Sequence, residues 1–121
     1  MGITELHIKV YDEVGGAVAV SSEEGDNLHA KISKALSEKL NVILDFVNIE
    51  ILTTAFLNAA IGQLYAEYLG EELNKKLKIE NVLPEDSLLF IKVVKRAKEY
   101  FQDKEAFENT VNESLNEDYG K

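Results

Sequence analysis

Asp45 closes the apolar run Val42-Ile43-Leu44, and open α/β sheets gather ligands outside the carboxyl ends of their strands. As an acid or a metal ligand it would need a partner, and no histidine or second acid sits beside it in sequence. Its plainer use is to bond the loop that follows it. Thr53 and Thr54 stand where a helix should begin, with free N–H groups and a dipole that favour an anion. They could hold a phosphate or receive one, and the simpler use of such a pair is to cap the helix. His7 and His29 share no ligand spacing, so a metal ion is not expected. Lys92, Lys95, Arg96 and Lys98 form the one basic cluster, suited to an acidic partner and otherwise a solvated helix face. Tyr65 and Tyr68 lie three apart, which puts a ring at the rim of the core or turned towards a partner. Gly15-Gly16 is too little for a phosphate loop. No catalytic constellation emerges, and a small enzyme using Asp45 is the weaker alternative to a binding protein.

The totals narrow the classes further. A chain of 121 residues, 45% hydrophobic and 29% charged, has the composition of one globular domain. Without cysteine it has no disulfide framework, thiol nucleophile or thiolate metal site. A net charge of −9 argues against nucleic acid or an anionic membrane as partner, since both need a dominant positive field. No apolar run approaches the ~20 residues of a membrane span, and no signal-peptide pattern opens the chain. The expected setting is cytoplasmic, with no cofactor.

The elements that must position these residues centre on 41–70. Val42 to Phe46 reads as a strand buried on both faces, the condition of an inner strand. Ile49 to Leu52 is a second apolar segment, and Thr53-Thr54 then caps a helix over 54–69. Phe56, Leu57, Ala60, Ile61, Leu64, Tyr65, Tyr68 and Leu69 give that helix a broad apolar face, and Gly70 is placed to end it in a left-handed cap. Upstream, Ile3, Leu6, Ile8 and Val10 suggest an opening strand. Gly15-Gly16 before Ala17-Val18-Ala19-Val20 reads as a hairpin, and a helical turn over 12–16 before a short extended segment is the rival. Ser21 with Glu24 predicts a capped helix from about 22 to 40, although Gly25 could delay its start to Asp26. Downstream, Glu71 to Leu77 predicts a short helical piece and Lys78 to Val82 an edge strand. Pro84 opens a long helix whose apolar stripe is Phe90, Val94, Ala97 and Phe101, widened by Leu89, Val93 and Tyr100. Phe107, Val111 and Leu115 suggest a final short helix, with 116–121 frayed. The expectation is a single α/β domain with a mixed, largely parallel sheet of about four strands.

Val42-Ile43-Leu44-Asp45-Phe46 followed by Ile51-Leu52-Thr53-Thr54-Ala55-Phe56 resembles the STAS domain, the family of the anti-sigma factor antagonists. Their pattern is an apolar strand ending in Asp, a spacer, and Asp-Ser-Ser-Gly opening a helix. The closer likeness is to the STAS-like domains of unknown function, with Asp-Phe, a spacer, then a small polar pair and Phe at a helix head. The likeness extends over Ser21–Ile32 and Lys78–Tyr100. It implies a STAS-like arrangement and a regulatory, non-catalytic module whose interaction surface is the helix head: Thr53, Thr54, Ala55 and Asn58, backed by Tyr65 and Tyr68. The implied partner is an anti-sigma factor or a GHKL-type ATP-binding kinase. Counted from Asp45 without gaps, Thr53 falls where antagonists carry Asp, Thr54 on their first Ser and Ala55 on the serine that receives phosphate. Alanine has no hydroxyl, so this register lacks the family's phospho-switch, and a slip of one residue would give it to Thr54.

Overall fold

In the computed structural model, residues 4–103 are described. They begin with β1 (Glu5–Lys9), which turns Leu6 and Ile8 inward and leaves Glu5, His7 and Lys9 exposed. The chain passes directly into α1 (Val10–Val14), and Gly15 ends that helix in the left-handed region at φ 79. The N–H groups of Gly15 and Gly16 both donate to the Tyr11 carbonyl, at 2.9 and 3.0 Å. Gly15-Gly16 is therefore a helix cap, which corrects the hairpin reading and supports the helical turn.

β2 (Val18–Ala19) follows, then α2 (Ser22–Ser37). Ser21 caps α2 by accepting from Glu24 N–H at 3.1 Å, and its hydroxyl faces the Glu24 carboxylate at 3.3 Å. The helix stops short of residue 40. Lys39 turns left-handed at φ 67 and Leu40 N–H bonds back to the Ala35 carbonyl. Gly25 neither delays nor ends the helix, because it is a contact. A Cβ there would lie 2.6 Å from the Phe56 carbonyl oxygen and 2.7 Å from Ala59 Cβ, so its absence lets α2 close on the helix after residue 53.

Next come β3 (Asn41–Asp45), β4 (Ile51–Leu52) and α3 (Thr54–Ala60). The sequence extends that helix to residue 69, but regular α structure ends at Ala60. Gly62–Ala66 is a 3-10 segment, and Gly70 opens α4 (Gly70–Lys76), with Leu69 as its N-cap. Gly70 therefore starts a helix where a left-handed stop was expected, and a Cβ on it would press Lys98 Cε at 3.1 Å. β5 (Leu77–Glu80) is the expected edge strand. Pro84–Asp86 makes a 3-10 turn into α5 (Ser87–Ala97), which continues as a π-helical stretch over Lys98–Asp103. The final helix read at Phe107, Val111 and Leu115 lies outside the described residues, as does the frayed end.

Among the described residues the strands form two parallel sheets, not one mixed sheet of four. In the first, β3 lies between β1 and β5 and pairs Val42 with Leu6 and Leu77. In the second, β2 pairs with β4, Val18 opposite Ile51 and Ala19 opposite Leu52. The capped α1 explains the difference: the chain does not double back along β1, and β2 is carried to the neighbour of β4. The inner place of β3 is as the sequence predicts. Ile8, Val42 and Leu44 pack with Leu28 and Ile32 of α2, Phe56 and Leu57 of α3, and Leu64 and Leu73. Phe46 and Phe90 meet edge to face at 5.1 Å, joining the strand end to α5. Along α5 the buried stripe is Val93 and Ala97, with Phe90, Val94 and Phe101 partly buried, and Tyr100 faces outward. No helix among the described residues is long and apolar enough to cross a membrane.

Candidate functional site

The parallel β2–β4 pair sends its strands into adjacent helices, β2 into α2 and β4 into α3. Thr53 joins the two. Its N–H donates to the Ala19 carbonyl (3.2 Å), its hydroxyl donates to the Val20 carbonyl (2.8 Å), and the same oxygen accepts from Phe56 N–H (3.2 Å). It is the N-cap of α3 and the clasp between the strand pair and that helix. Thr54 is the first residue of α3 and half-buried, and its hydroxyl stands outside those capping bonds. Ala55 and Asn58, one turn further on, are exposed. In the strand pair, the register sets Val18 and Ile51 opposite each other, and these residues remain 45% and 54% exposed. Sequence reasoning took Ile51 only as part of an apolar segment. Nothing local tells that a two-residue strand pairs on one side and turns Ile51 outward.

Asp45 belongs to a second constellation. It ends β3 with only 5% of its surface exposed. Oδ1 accepts from Val47 N–H (2.9 Å) and from the Asn81 amide (2.8 Å), and Oδ2 accepts from His7 Nε2–H (2.9 Å). Burial pushes the carboxyl up, but the bonds from Asn81, Val47 and His7 outweigh it and hold Asp45 below its ordinary value. Asn81 reaches it from a left-handed backbone at φ 60. The loop-bonding role is therefore real, and the fold adds His7 and Asn81, which the sequence does not place near it. Asp45 and Thr53 share no hydrogen-bond partner, so the candidate residues fall into two groups: a structural clip at Asp45 and a surface at the α3 head.

The other candidates separate as well. His29 Nε2 lies 2.8 Å from Glu67 Oε2, an ion-pair distance without hydrogen-bond geometry, and Ser33 donates to the other Glu67 oxygen. Among the described residues no group of three acids or histidines could hold a metal. Tyr65 is buried, which raises its phenol above the ordinary value. Tyr68 is half-buried, with Lys76 Nζ 5.9 Å from its ring centroid. Neither lies on α3, so they do not back its head along one helix as the resemblance implies.

A strand ending in a buried Asp, a short spacer and a capped helix head define the STAS-like class of α/β domain. The family model described as a STAS-like domain of unknown function (DUF4325) matches residues 24–87, just over half of the chain, and the chain belongs to this family. No curated protein and no solved structure gives a match to it.

Proposed function

We propose that this protein is a cytoplasmic, non-catalytic regulatory module that binds a protein partner through the head of α3. The observation that carries this reading is the exposed pair Val18 and Ile51, set opposite each other on the strands that run into α2 and α3, with Ala55 and Asn58 of the α3 head exposed as well. Two exposed β-branched side chains in register form a contiguous apolar spot, the kind of surface that a partner covers. The bonds of Thr53 fix the backbone beneath it. Asp45, the candidate for an enzyme, has both oxygens occupied by donors, which supports a structural role. By likeness to anti-sigma factor antagonists, the partner is an anti-sigma factor or a GHKL-type ATP-binding kinase. With Ala55 in the acceptor register, binding is constitutive or set by a ligand or by expression level. The second reading makes Thr54 the acceptor, favoured by its place as first helical residue outside the capping bonds.

The test incubates the purified protein with the GHKL-type kinases of its host and ATP. The expected result is a complex without phosphate, weakened about tenfold or more by Ala55→Glu or Asn58→Arg, as for a central contact residue, and unchanged by Lys92→Glu. One phosphate on Thr54, lost in Thr54→Ala, would replace the constitutive reading by a switch. Turnover of a substrate, abolished by Asp45→Asn without unfolding, would overturn the module.

A further inference from the structure

Ser87, Phe90, Ile91, Val94, Lys95 and Lys98 recur at helical spacing and so share one face of α5 and its continuation. That face forms one wall of a groove of about 640 Å³, and Ile79 of β5 with Val82 just after it forms the other. Small-molecule sites run from about 300 to 1,000 Å³ and are mostly apolar, with a few polar groups that set orientation. This groove has that make-up. Its five apolar residues all keep part of their surface in water, Ser87 stands where α5 begins, and Lys95 and Lys98 stand towards its C-terminal end. The charge of this helix is unlike that of the chain. From Ser87 to Lys98 it carries four cations, Lys92, Lys95, Arg96 and Lys98, and no acid, in a protein of net charge −9. Among the described residues no acid lies within ion-pair distance of any of the four.

We propose that the groove binds a long-chain carboxylate, with its tail between α5 and β5 and its head on Lys95 and Lys98. Charge complementarity selects this occupant. Two lysines without acid partners, beside an apolar trough, call for an anionic head on an apolar body. A head of one charge suits them best, because every further negative charge meets the field of a chain of net −9. That field weighs against an acidic protein segment and against an anionic bilayer, each of which brings many charges at once. The helix dipole does not oppose the head. α5 continues as the stretch Lys98–Asp103, so the negative pole of the helix lies beyond the lysines. The site is built from α5 and β5 and not from the β2–β4 pair, so it stands whether or not the α3 head holds a partner.

The test titrates the full-length chain calorimetrically with dodecanoate below its micelle concentration, beside dodecyltrimethylammonium and acetate. Dodecanoate should bind once per chain and about tenfold or more tighter than either, since only it offers both a tail and an anionic head. In nuclear magnetic resonance spectra its amide shifts should gather at residues 79, 82, 90, 91 and 94. Lys95→Glu/Lys98→Glu, with folding checked by circular dichroism, should weaken dodecanoate about tenfold or more and admit dodecyltrimethylammonium in its place. Lys34→Glu/Lys75→Glu makes the same change of net charge at exposed positions of α2 and α4, and should leave the affinity within about twofold. Ile91→Glu, at a position 62% exposed and so harmless to the core, should abolish binding. Equal affinity for the two amphiphiles would mean an apolar patch without a head site, and acetate as tight as dodecanoate a pair of lysines without a tail site. Either result would overturn the proposal, as would no binding or equal losses in the two lysine pairs. Association with phosphatidylglycerol vesicles but not with monomeric dodecanoate would assign α5 to a membrane surface and overturn it too.

Discussion

Asp45 gathers donors from three separate places: the loop after its own strand, the turn after β5 and the middle of β1. Hydrogen bonds to a charged acceptor are worth about 1.5–3 kcal/mol each, so removing the carboxylate should be felt throughout the sheet. Asp45→Ala is expected to cost about 3 kcal/mol in urea denaturation. Asp45→Asn should cost less, because its carbonyl can keep both Val47 and Asn81 while the other tautomer of His7 accepts from its amide. The pH dependence has a definite sign. A carboxyl held below its unfolded value of about 3.9 contributes stability that is present above that value and is lost as pH falls through the folded one. Wild type should therefore lose more stability than Asp45→Asn as pH falls from about 5 to about 3. Equal slopes would mean that the carboxylate is not the group that matters. At this scale the strand-end position of Asp45 was legible, because an apolar run with one terminal acid is a local pattern. His7 and Asn81 were not legible. They lie 38 and 36 residues away and arrive only through parallel pairing on either side of β3.

Among elements, the helix starts were legible and several of the ends were not. Ser21 with Glu24, Thr53, and Pro84 are each a local arrangement that satisfies or avoids free N–H groups, so a few residues suffice to see them. Glycines are different, since a glycine signals permission without saying what it permits. Gly15 permits a left-handed cap, Gly70 the close passage of Lys98 at a helix start, and Gly25 the contact of two helices. Gly25 gives the sharpest test. On helix propensity alone, Gly25→Ala should stabilise α2 by about 1 kcal/mol. The added methyl, however, would meet the Phe56 backbone oxygen at 2.6 Å and Ala59 at 2.7 Å, and neither can swing away as a flexible side-chain tip would. Overpacking of this kind costs about 1–3 kcal/mol, and here the whole of α2 would have to shift against α3, so the clash should win. The expected result is a net loss of about 1–2 kcal/mol in thermal or urea denaturation. A stabilised variant would show that the two helices are not locked at this contact.

Over the whole molecule, the proposed binding face and the firmest part of the fold are separate. β3 is bonded on both sides and buries Val42 and Leu44, whereas β2 and β4 contribute two residues each and leave Val18 and Ile51 outside. The family match at residues 24–87 covers β3, β4 and α3 but stops at the first residue of α5, so the rest of the cationic helix lies outside it. Small pairs with few buried contacts open locally at a fraction of the global unfolding free energy, and interaction surfaces are drawn from that end of the range. Native-state hydrogen exchange should therefore find the amides of residues 42–44 exchanging by global unfolding and those of residues 51 and 53 exchanging faster. Thr53→Ala sharpens the comparison, because it leaves the Val20 carbonyl without its donor and Phe56 N–H without its cap. A lost cap costs about 1–2 kcal/mol, so exchange at residues 51, 53 and 56 should quicken about tenfold while residues 42–44 follow only the fall in global stability. Saturation with a partner bound at Val18, Ile51 and Ala55 should slow the same three amides. If all six amides move by one factor in Thr53→Ala, the strand pair opens only when the whole fold does, and the α3 head has no local freedom for a partner to select.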